Sequence, residues 1–430
     1  MRADVIVRRV SAPMIHVLVR RHLDGIVGLE NLPTDGPFVL VPNHRSYFDH
    51  FLVETVVGFA VGRPVWFLTK RESFETRLSR VWTTAWYGIP VDREQPTPDT
   101  LRAVRRVIDA GDMLCVYPEG TRNTGGDLLP FHAGAFRFAV ASDVPVIPVA
   151  MTGTDDVLPP GARWFRRRAR ARIAFGEPIV PDLSSGRADA AARIAVKTKA
   201  AIVSMYAELG DVFDAVGGAR AGSRSARAHS GRGSRAARAF DQRTSSALAA
   251  DGSLPPAAFR RLHSLLALLD RVDPASHDLL AQRARLRGLV LVHRPLALRI
   301  LPSLVAGSRL RRMLRANPDH AVANYLMGRW YLAMPAALGG GAARAEAALR
   351  RSEESAEPGD TRALAALAEL YGGAGRVGEA LEALRRIADA PTGGDARAEM
   401  RAERARARIA ELSRVTPEGG DAAGSASRPR

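Results

Sequence analysis

A single cysteine, Cys115, stands in 430 residues, so no disulfide can form within the chain and no cysteine-based metal site can be built. It lies in an apolar run before Tyr117 and reads as a small core residue. Aromatics are only 6% of the chain, and no stretch interleaves them with basic residues in the manner of an RNA reader. No run approaches about 18 uninterrupted apolar residues, so no membrane-spanning helix is expected, and no secretory leader is apparent. There is no Gly-x-Ser-x-Gly, which argues against an acyl-enzyme hydrolase built on a nucleophile elbow. Lysine is scarce too: of 62 Lys+Arg, only Lys70, Lys197 and Lys199 are lysines.

The formal charge of +17 is therefore an arginine charge. Alongside abundant Ala and Gly it has the look of a GC-rich coding bias. Its remaining meaning is attraction to an anionic surface, and anionic phospholipid fits better than nucleic acid. The length implies two or three domains.

The informative stretch is Pro42-Asn43-His44-Arg45-Ser46-Tyr47-Phe48-Asp49. An apolar strand, Phe38-Val39-Leu40-Val41, precedes it, and a helix from Phe51 follows. Five steps along an ideal helix turn two side chains apart by roughly 140°. His44 and Asp49 can therefore meet only if His44 lies on the loop and Asp49 in the first helical turn. Asp49 would then hold one ring N–H of His44 and leave the other nitrogen free to take a proton. On spacing alone the pair reads first as a strand-to-helix turn with a solvated histidine.

Three further blocks follow in order: Gly88-Ile89-Pro90-Val91-Asp92-Arg93, Val116-Tyr117-Pro118-Glu119-Gly120-Thr121-Arg122, and Val144-Pro145-Val146-Ile147-Pro148-Val149. With the His-x4-Asp stretch they resemble the glycerolipid acyltransferase family, typified by 1-acyl-glycerol-3-phosphate acyltransferase. The resemblance covers roughly residues 20–215, about half the chain. It implies an α/β fold with a mixed sheet flanked by helices. It implies His44 as general base and Asp49 as its orienting group. Arg93, Glu119, Gly120, Thr121 and Arg122 would bind substrate, the arginines as planar forks on a phosphate. The backbone at the helix start would stabilise the oxyanion. No metal or cofactor is implied; acyl-CoA or acyl carrier protein serves as co-substrate. Phe131-His132-Ala133-Gly134 departs from the family's usual Phe-Lys-x-Gly, which puts the acceptor in question.

The chain then divides as follows. Residues 1–23 alternate basic and apolar clusters around Pro13, as a membrane-interface segment or a helix packed on the domain. Residues 24–216 form the acyltransferase domain. In the resembling family this region lies near the acyl-chain path, which Trp82, Trp86 and Tyr87 would line where they do not pack the core. Residues 217–239, rich in Arg, Gly and Ser, read as a flexible linker. Residues 240–413 read as an all-α domain similar to tetratricopeptide repeats, with Tyr331 and Tyr371 offset by 40. Residues 414–430 read as disordered.

The expected activity is acyl transfer from an acyl thioester to a lysophospholipid, 1-acyl-glycerol-3-phosphate first, in phospholipid biosynthesis. The enzyme would lie peripherally or monotopically on the cytoplasmic face of the cell membrane, with a protein partner at the repeats. The alternatives are an acceptor such as a lyso-aminolipid, and a membrane-bound adaptor that uses only the repeats.

Overall fold

The computed structural model describes residues 3–92, 97–123, 125, 128–162, 164–184, 186–217, 224–249, 252–291, 296–392 and 396–415. Among them, seven strands form one sheet: β1 (Leu23–Val27), β2 (Val39–Pro42), β3 (Val65–Lys70), β4 (Gly88–Val91), β5 (Met113–Cys115), β6 (Val146–Thr152) and β7 (Ala171–Phe175), in the order β1-β7-β6-β2-β5-β3-β4. Every neighbour pair is parallel except β6 with β7. The mixed α/β sheet expected from the sequence is therefore present.

The helices of the first compact unit, Met1–Leu286, are α1 (Ala3–His22), α2 (Phe48–Val61), α3 (Arg77–Ala85), α4 (Pro98–Asp109), α5 (Arg137–Ser142), the single turn α6 (Thr154–Val157), α7 (Arg187–Gly217), α8 (Arg224–Ser246), α9 (Pro256–Val272) and the start of α10 (His277–Leu291). Side chains alternate across a strand. Leu40, Phe67, Met113 and Cys115 therefore join one core cluster with residues of α1, α2 and α9, while Val39, Val41 and Leu114 join another with α4, α5 and α7. α2 is apolar nearly all round, and Phe48, Leu52, Val53, Val56 and Val57 are all fully buried. Each such side chain contributes about 1.5–3 kcal/mol.

Two boundaries differ from the expectation. Residues 224–246 of the supposed linker and its neighbourhood are helical, because Ala and Arg are good helix formers. The unit also does not close at 216. Phe240 and the α9 leucines Leu262, Leu265, Leu266, Leu268 and Leu269 are buried in the same cluster as Leu23, Val53 and Val57. Arg243 donates to the carbonyls of Leu29 and Leu32, both at 2.9 Å. These helices complete the core of the first unit and do not begin the second. Residues 218–223 and 416–430 lie outside the described residues.

α1 is continuous through Pro13, whose ring stands on the exposed side. Ser11, Ile15, Val19 and His22 face the core. The segment is thus a helix packed on the unit through one face.

The second unit, Arg287–Arg430, is helical throughout its described residues. α11 (Leu296–Ala316), α12 (Ala321–Ala333), α13 (Ala342–Glu354), α14 (Arg362–Gly373), α15 (Val377–Ala388) and α16 (Ala396–Val415) pack each on the next. A Cβ on Gly328 of α12 would lie 2.6 Å from Cγ of Leu349 on α13, so the close crossing requires glycine there.

Candidate active site

β2, β5, β3 and β4 run parallel, so their carboxyl ends share one edge of the sheet. In an open α/β sheet that edge is where ligands gather. His44 follows β2, and Glu119 to Arg122 follow β5.

The loop from Asn43 to Tyr47 is fixed by hydrogen bonds along its length. The Asn43 side-chain amide accepts from the N–H of Met151 at 2.7 Å and donates to its carbonyl at 3.1 Å. Asp49, in the first turn of α2 and fully buried, accepts from His44 Nδ1 at 2.9 Å through Oδ2. The same oxygen accepts the amides of Arg45 at 2.7 Å and Ser46 at 2.9 Å. An ionised carboxylate only accepts, so the proton sits on Nδ1 and Nε2 is the basic nitrogen. The His44 side chain keeps 18% of its exposure, enough to meet a substrate. Its ring stacks on Tyr117, with centroids 3.9 Å apart and planes 24° from parallel.

Glu119 binds the same loop from the other side. Its Oε1 accepts the His44 amide at 2.9 Å, and its Oε2 accepts from Asn123 Nδ2 at 3.1 Å and the Leu129 amide at 3.0 Å. The Asn123 amide returns a bond of 2.7 Å to the His44 carbonyl. Glu119 is buried and spends its oxygens on holding the histidine loop to the loop after β5. Gly120 has φ 66°, the left-handed region, which lets the chain turn directly beneath the His132 ring. Thr121 is exposed. Arg122 lies with its guanidinium carbon 3.9 Å over the Tyr47 ring, and its Nη1 is buried without a hydrogen-bond partner. That donor suits an incoming anion. Arg93 lies outside the described residues.

The backbone at the helix start is expected to supply the oxyanion donors. The amides of Arg45 and Ser46 go to Asp49, that of Phe48 to Ser46 Oγ at 3.1 Å, and that of Asp49 to the Ser46 carbonyl. These four amides shape the loop; that of Tyr47, the residue before α2, is not among them.

Sequence reasoning missed several neighbours. Tyr206 of α7 has its phenol within electrostatic reach of Arg45, Glu119, Asp49 and Asp155, and burial pushes its hydroxyl above the usual range. Arg45 pairs with Asp155 at 3.3 Å and donates to the Gly125 carbonyl. Behind Asp49, Arg8 and His16 of α1 pair with buried Glu54 of α2. Burial alone would raise the Glu54 carboxyl, but the His16 and Arg8 contacts win and hold it below the ordinary range. His50 stacks on Phe67, gives its Nε2 proton to the Trp86 carbonyl at 2.9 Å, and is lowered by burial to about 4. It is neutral and turned to that carbonyl. Among the described residues no three His, Cys, Asp or Glu side chains come together as metal ligands. Trp86 is core, with Arg8 over its ring, while Trp82 keeps 39% of its surface. None of these pairings leaves a pattern in the sequence beyond an ordinary helical face.

Residues 25–152 match the family model described as Acyltransferase. That stretch is similar to the acyltransferase family. Over 158 residues the chain is 32% identical to the chloroplastic 1-acyl-sn-glycerol-3-phosphate acyltransferase BAT2 of Brassica napus, covering 36% of this chain and 44% of that one. It is 26% identical over 153 residues to the 1-acyl-sn-glycerol-3-phosphate acyltransferase of Bacillus subtilis, covering 35% and 70%. The crystal structure of the 1-acyl-sn-glycerophosphate acyltransferase PlsC from Thermotoga maritima is similar at 26% identity and a TM-score of 0.37, over 48% of this chain and 84% of that one. The chain thus spans less than half the length of the Brassica relative. The matched stretch contains His44, Asp49 and Glu119 to Arg122; α1, Tyr206 and the helical unit lie outside the match.

Proposed function

We propose that the chain transfers a fatty acyl group from an acyl thioester to the free hydroxyl of a lysophospholipid, 1-acyl-glycerol-3-phosphate being the first acceptor to test. The observation that carries this reading is the 2.9 Å contact between His44 Nδ1 and fully buried Asp49. His44 Nε2 takes the hydroxyl proton as the oxygen attacks the thioester carbonyl carbon. Asp49 stabilises the imidazolium without taking its proton. The tetrahedral intermediate then expels the thiolate, the C–S bond breaks, and the imidazolium returns its proton to sulfur. Arg122 receives the acceptor phosphate with its unpartnered Nη1, and Arg93 is its expected partner. Glu119 and Gly120 hold the loop geometry, and Thr121 offers a hydroxyl at the mouth. No cofactor enters this scheme.

The place of action is a membrane surface. No helix among the described residues is long and apolar enough to cross a bilayer. α1 nevertheless exposes Val10 (74%), Met14 (66%) and Val17 (67%), and α3, packed beside it, exposes Leu78 (81%) and Trp82. With Arg9 and Arg20 on the same helix, this is the composition of an interfacial face, peripheral or monotopic, and we place it on the cytoplasmic leaflet. The helical unit, read as tetratricopeptide-like, would bind a protein partner.

His132 favours one second reading. It is exposed, and its ring lies against Gly120, where the family's more usual residue is lysine. An acceptor such as a lyso-aminolipid fits a site with one fixed cation fewer. The deciding experiment is acyl transfer by the purified full chain to a panel of lysolipids, with His44→Ala in parallel. Transfer to lysophosphatidic acid that the variant lacks supports the first reading; an active His44→Ala protein refutes it. Transfer to lyso-aminolipid alone moves the acceptor, and transfer to nothing moves the weight to an adaptor role.

A further inference from the structure

Tyr117 stands two residues beyond β5 and directly ahead of Pro118-Glu119-Gly120. Its backbone is pinned on both sides. The Val116 amide donates to the Leu40 carbonyl at 2.9 Å, the Gly120 amide to the Tyr117 carbonyl at 3.2 Å, and the His132 amide to the Pro118 carbonyl at 3.0 Å. The loop that carries His44 is tied to the same segment through Glu119 and Asn123. Fixed backbone on either side therefore holds the two rings face to face, with centroids 3.9 Å apart and planes 24° from parallel.

The Tyr117 hydroxyl is not equipped for proton transfer. It is buried with no hydrogen-bond partner among the described oxygens and nitrogens, beside the buried Cys115 thiol. Burial pushes the phenol well above its ordinary range, so it stays neutral. A buried tyrosine usually finds a partner for its hydroxyl. What this one offers His44 is a ring face, the negative side of the aromatic quadrupole, which attracts a cation. Asp49 meets the imidazole in its plane, at Nδ1 and 2.9 Å, while Tyr117 covers one of its faces. Turning the imidazole about its bond to the chain would break the first contact and drive an edge into the second. Nε2 thus keeps one direction. The charge that appears when Nε2 takes a proton meets a carboxylate in the plane and a π face across it.

We propose that Tyr117 is a positioning residue for acyl transfer: its ring face orients the His44 imidazole and stabilises the imidazolium. The inference rests on the general-base reading of His44 for its purpose, and one arm of its test needs no turnover. The full chain is compared with Tyr117→Phe, Tyr117→Leu and Tyr117→pentafluorophenylalanine, the last made by amber suppression. Pentafluorination keeps a flat ring and reverses the sign of its face. All are checked for an unchanged circular dichroism spectrum. The ionisable groups around His44, namely Asp49 at Nδ1, Glu119 on its amide, Arg45 next in the chain and His50 of α2, are the same throughout the series. The first arm labels histidine with 15N and assigns His44 by the signal missing from His44→Ala. It reads the ratio of imidazolium to imidazole at one pH where wild type shows both forms. The ratio should match wild type within about twofold in Tyr117→Phe and fall at least about threefold in the pentafluorinated chain, the usual scale of a cation–π contact. The second arm measures acyl transfer to the lysolipid. There kcat should fall about threefold to thirtyfold in Tyr117→Leu and in the pentafluorinated chain, recover in Tyr117→Phe, and leave KM nearly unchanged. Equal ratios in the Tyr117→Phe and pentafluorinated chains overturn the proposal, because shape alone would then account for the stack. So does wild-type kcat in Tyr117→Leu, or a loss confined to KM. If wild type acylates no lysolipid, the acyl-transfer reading falls by itself, and the ratio still decides whether Tyr117 holds charge on His44.

Discussion

The two units of this protein use their carboxylates to opposite ends. In the α/β unit, Asp49, Glu54 and Glu119 are buried, and their partners come from separate elements. In the helical unit, Glu346 accepts from Arg376 and Arg350, and Glu379 accepts from Arg376, all on partly exposed helix faces. A buried carboxylate that loses its partner leaves a charge or a donor stranded, whereas an exposed pair exchanges protein contacts for water at little net cost. The buried set fixes a reactive geometry. The exposed set decorates a scaffold whose stability comes from Leu349, Ala366, Leu367 and Tyr371.

The sharpest test of that difference is at Asp49 and His44. His44→Ala should lower acyl transfer by about 10²–10⁴, the usual worth of a positioned general base. Asp49→Asn should fall nearly as far, because its Oδ2 orients the ring and also ties down two loop amides. Initial rates with labelled donor, at substrate levels above and below KM, check both. A change in KM alone would place Asp49 in binding and outside the chemistry.

Core truncations compare the units directly. Leu266→Ala in α9 and Leu367→Ala in α14 each remove a buried leucine and should each cost about 2–5 kcal/mol. Only Leu266→Ala should also lower acyl transfer, since α9 belongs to the core beneath α2. Urea unfolding followed by circular dichroism, alongside the activity assay, reads both effects. If Leu266→Ala leaves activity intact at a lowered midpoint, α9 only props the unit.

Acid is the next lever. His50 has its ordinary value near 6.5 when unfolded and about 4 when buried in the fold. Between these values the unfolded chain binds the extra proton, so stability falls as pH drops from about 6.5 to about 4. The loss should approach roughly 3 kcal/mol at the low end. Glu54, held below its ordinary value, adds a further loss at lower pH as it is forced to protonate. His50→Phe keeps an aromatic ring against Phe67 and should flatten the first limb in chemical denaturation run from pH 7 to pH 4. An unchanged limb would mean that another group sets the acid sensitivity of this unit.

What the sequence shows depends on how local the signal is. The strands, the His44–Asp49 meeting and the loop after β5 are local, because each follows from an apolar run, a turn and a spacing of a few residues. The contribution of α9 was not legible, because helically spaced leucines announce an apolar face without saying what it covers. The same holds for Arg8 on Glu54 and for Tyr206 beside the site, which are single polar residues on otherwise ordinary helices. The oxyanion expectation is narrowed for a related reason. The count of free amides at a helix start depends on where Asp49 and the Ser46 hydroxyl point, and side-chain direction is set by packing.

The smallest expected effect lies in the helical unit. Arg376 and Arg350 hold the Glu346 carboxyl down at about 2. Such a depressed carboxylate stabilises the fold above its ordinary value and loses that contribution as pH falls towards the folded value. The group is open to water, so the gain is discounted to about 1 kcal/mol at most. Glu346→Gln should therefore move the urea midpoint of the helical unit slightly at low salt and hardly at all at 1 M salt, where screening shortens the reach of charge to about 3 Å. Acyl transfer should be unchanged. A large shift that salt does not erase would show that the network is structural in the way Asp49 is, and the contrast between the two units would then rest on their chemistry alone.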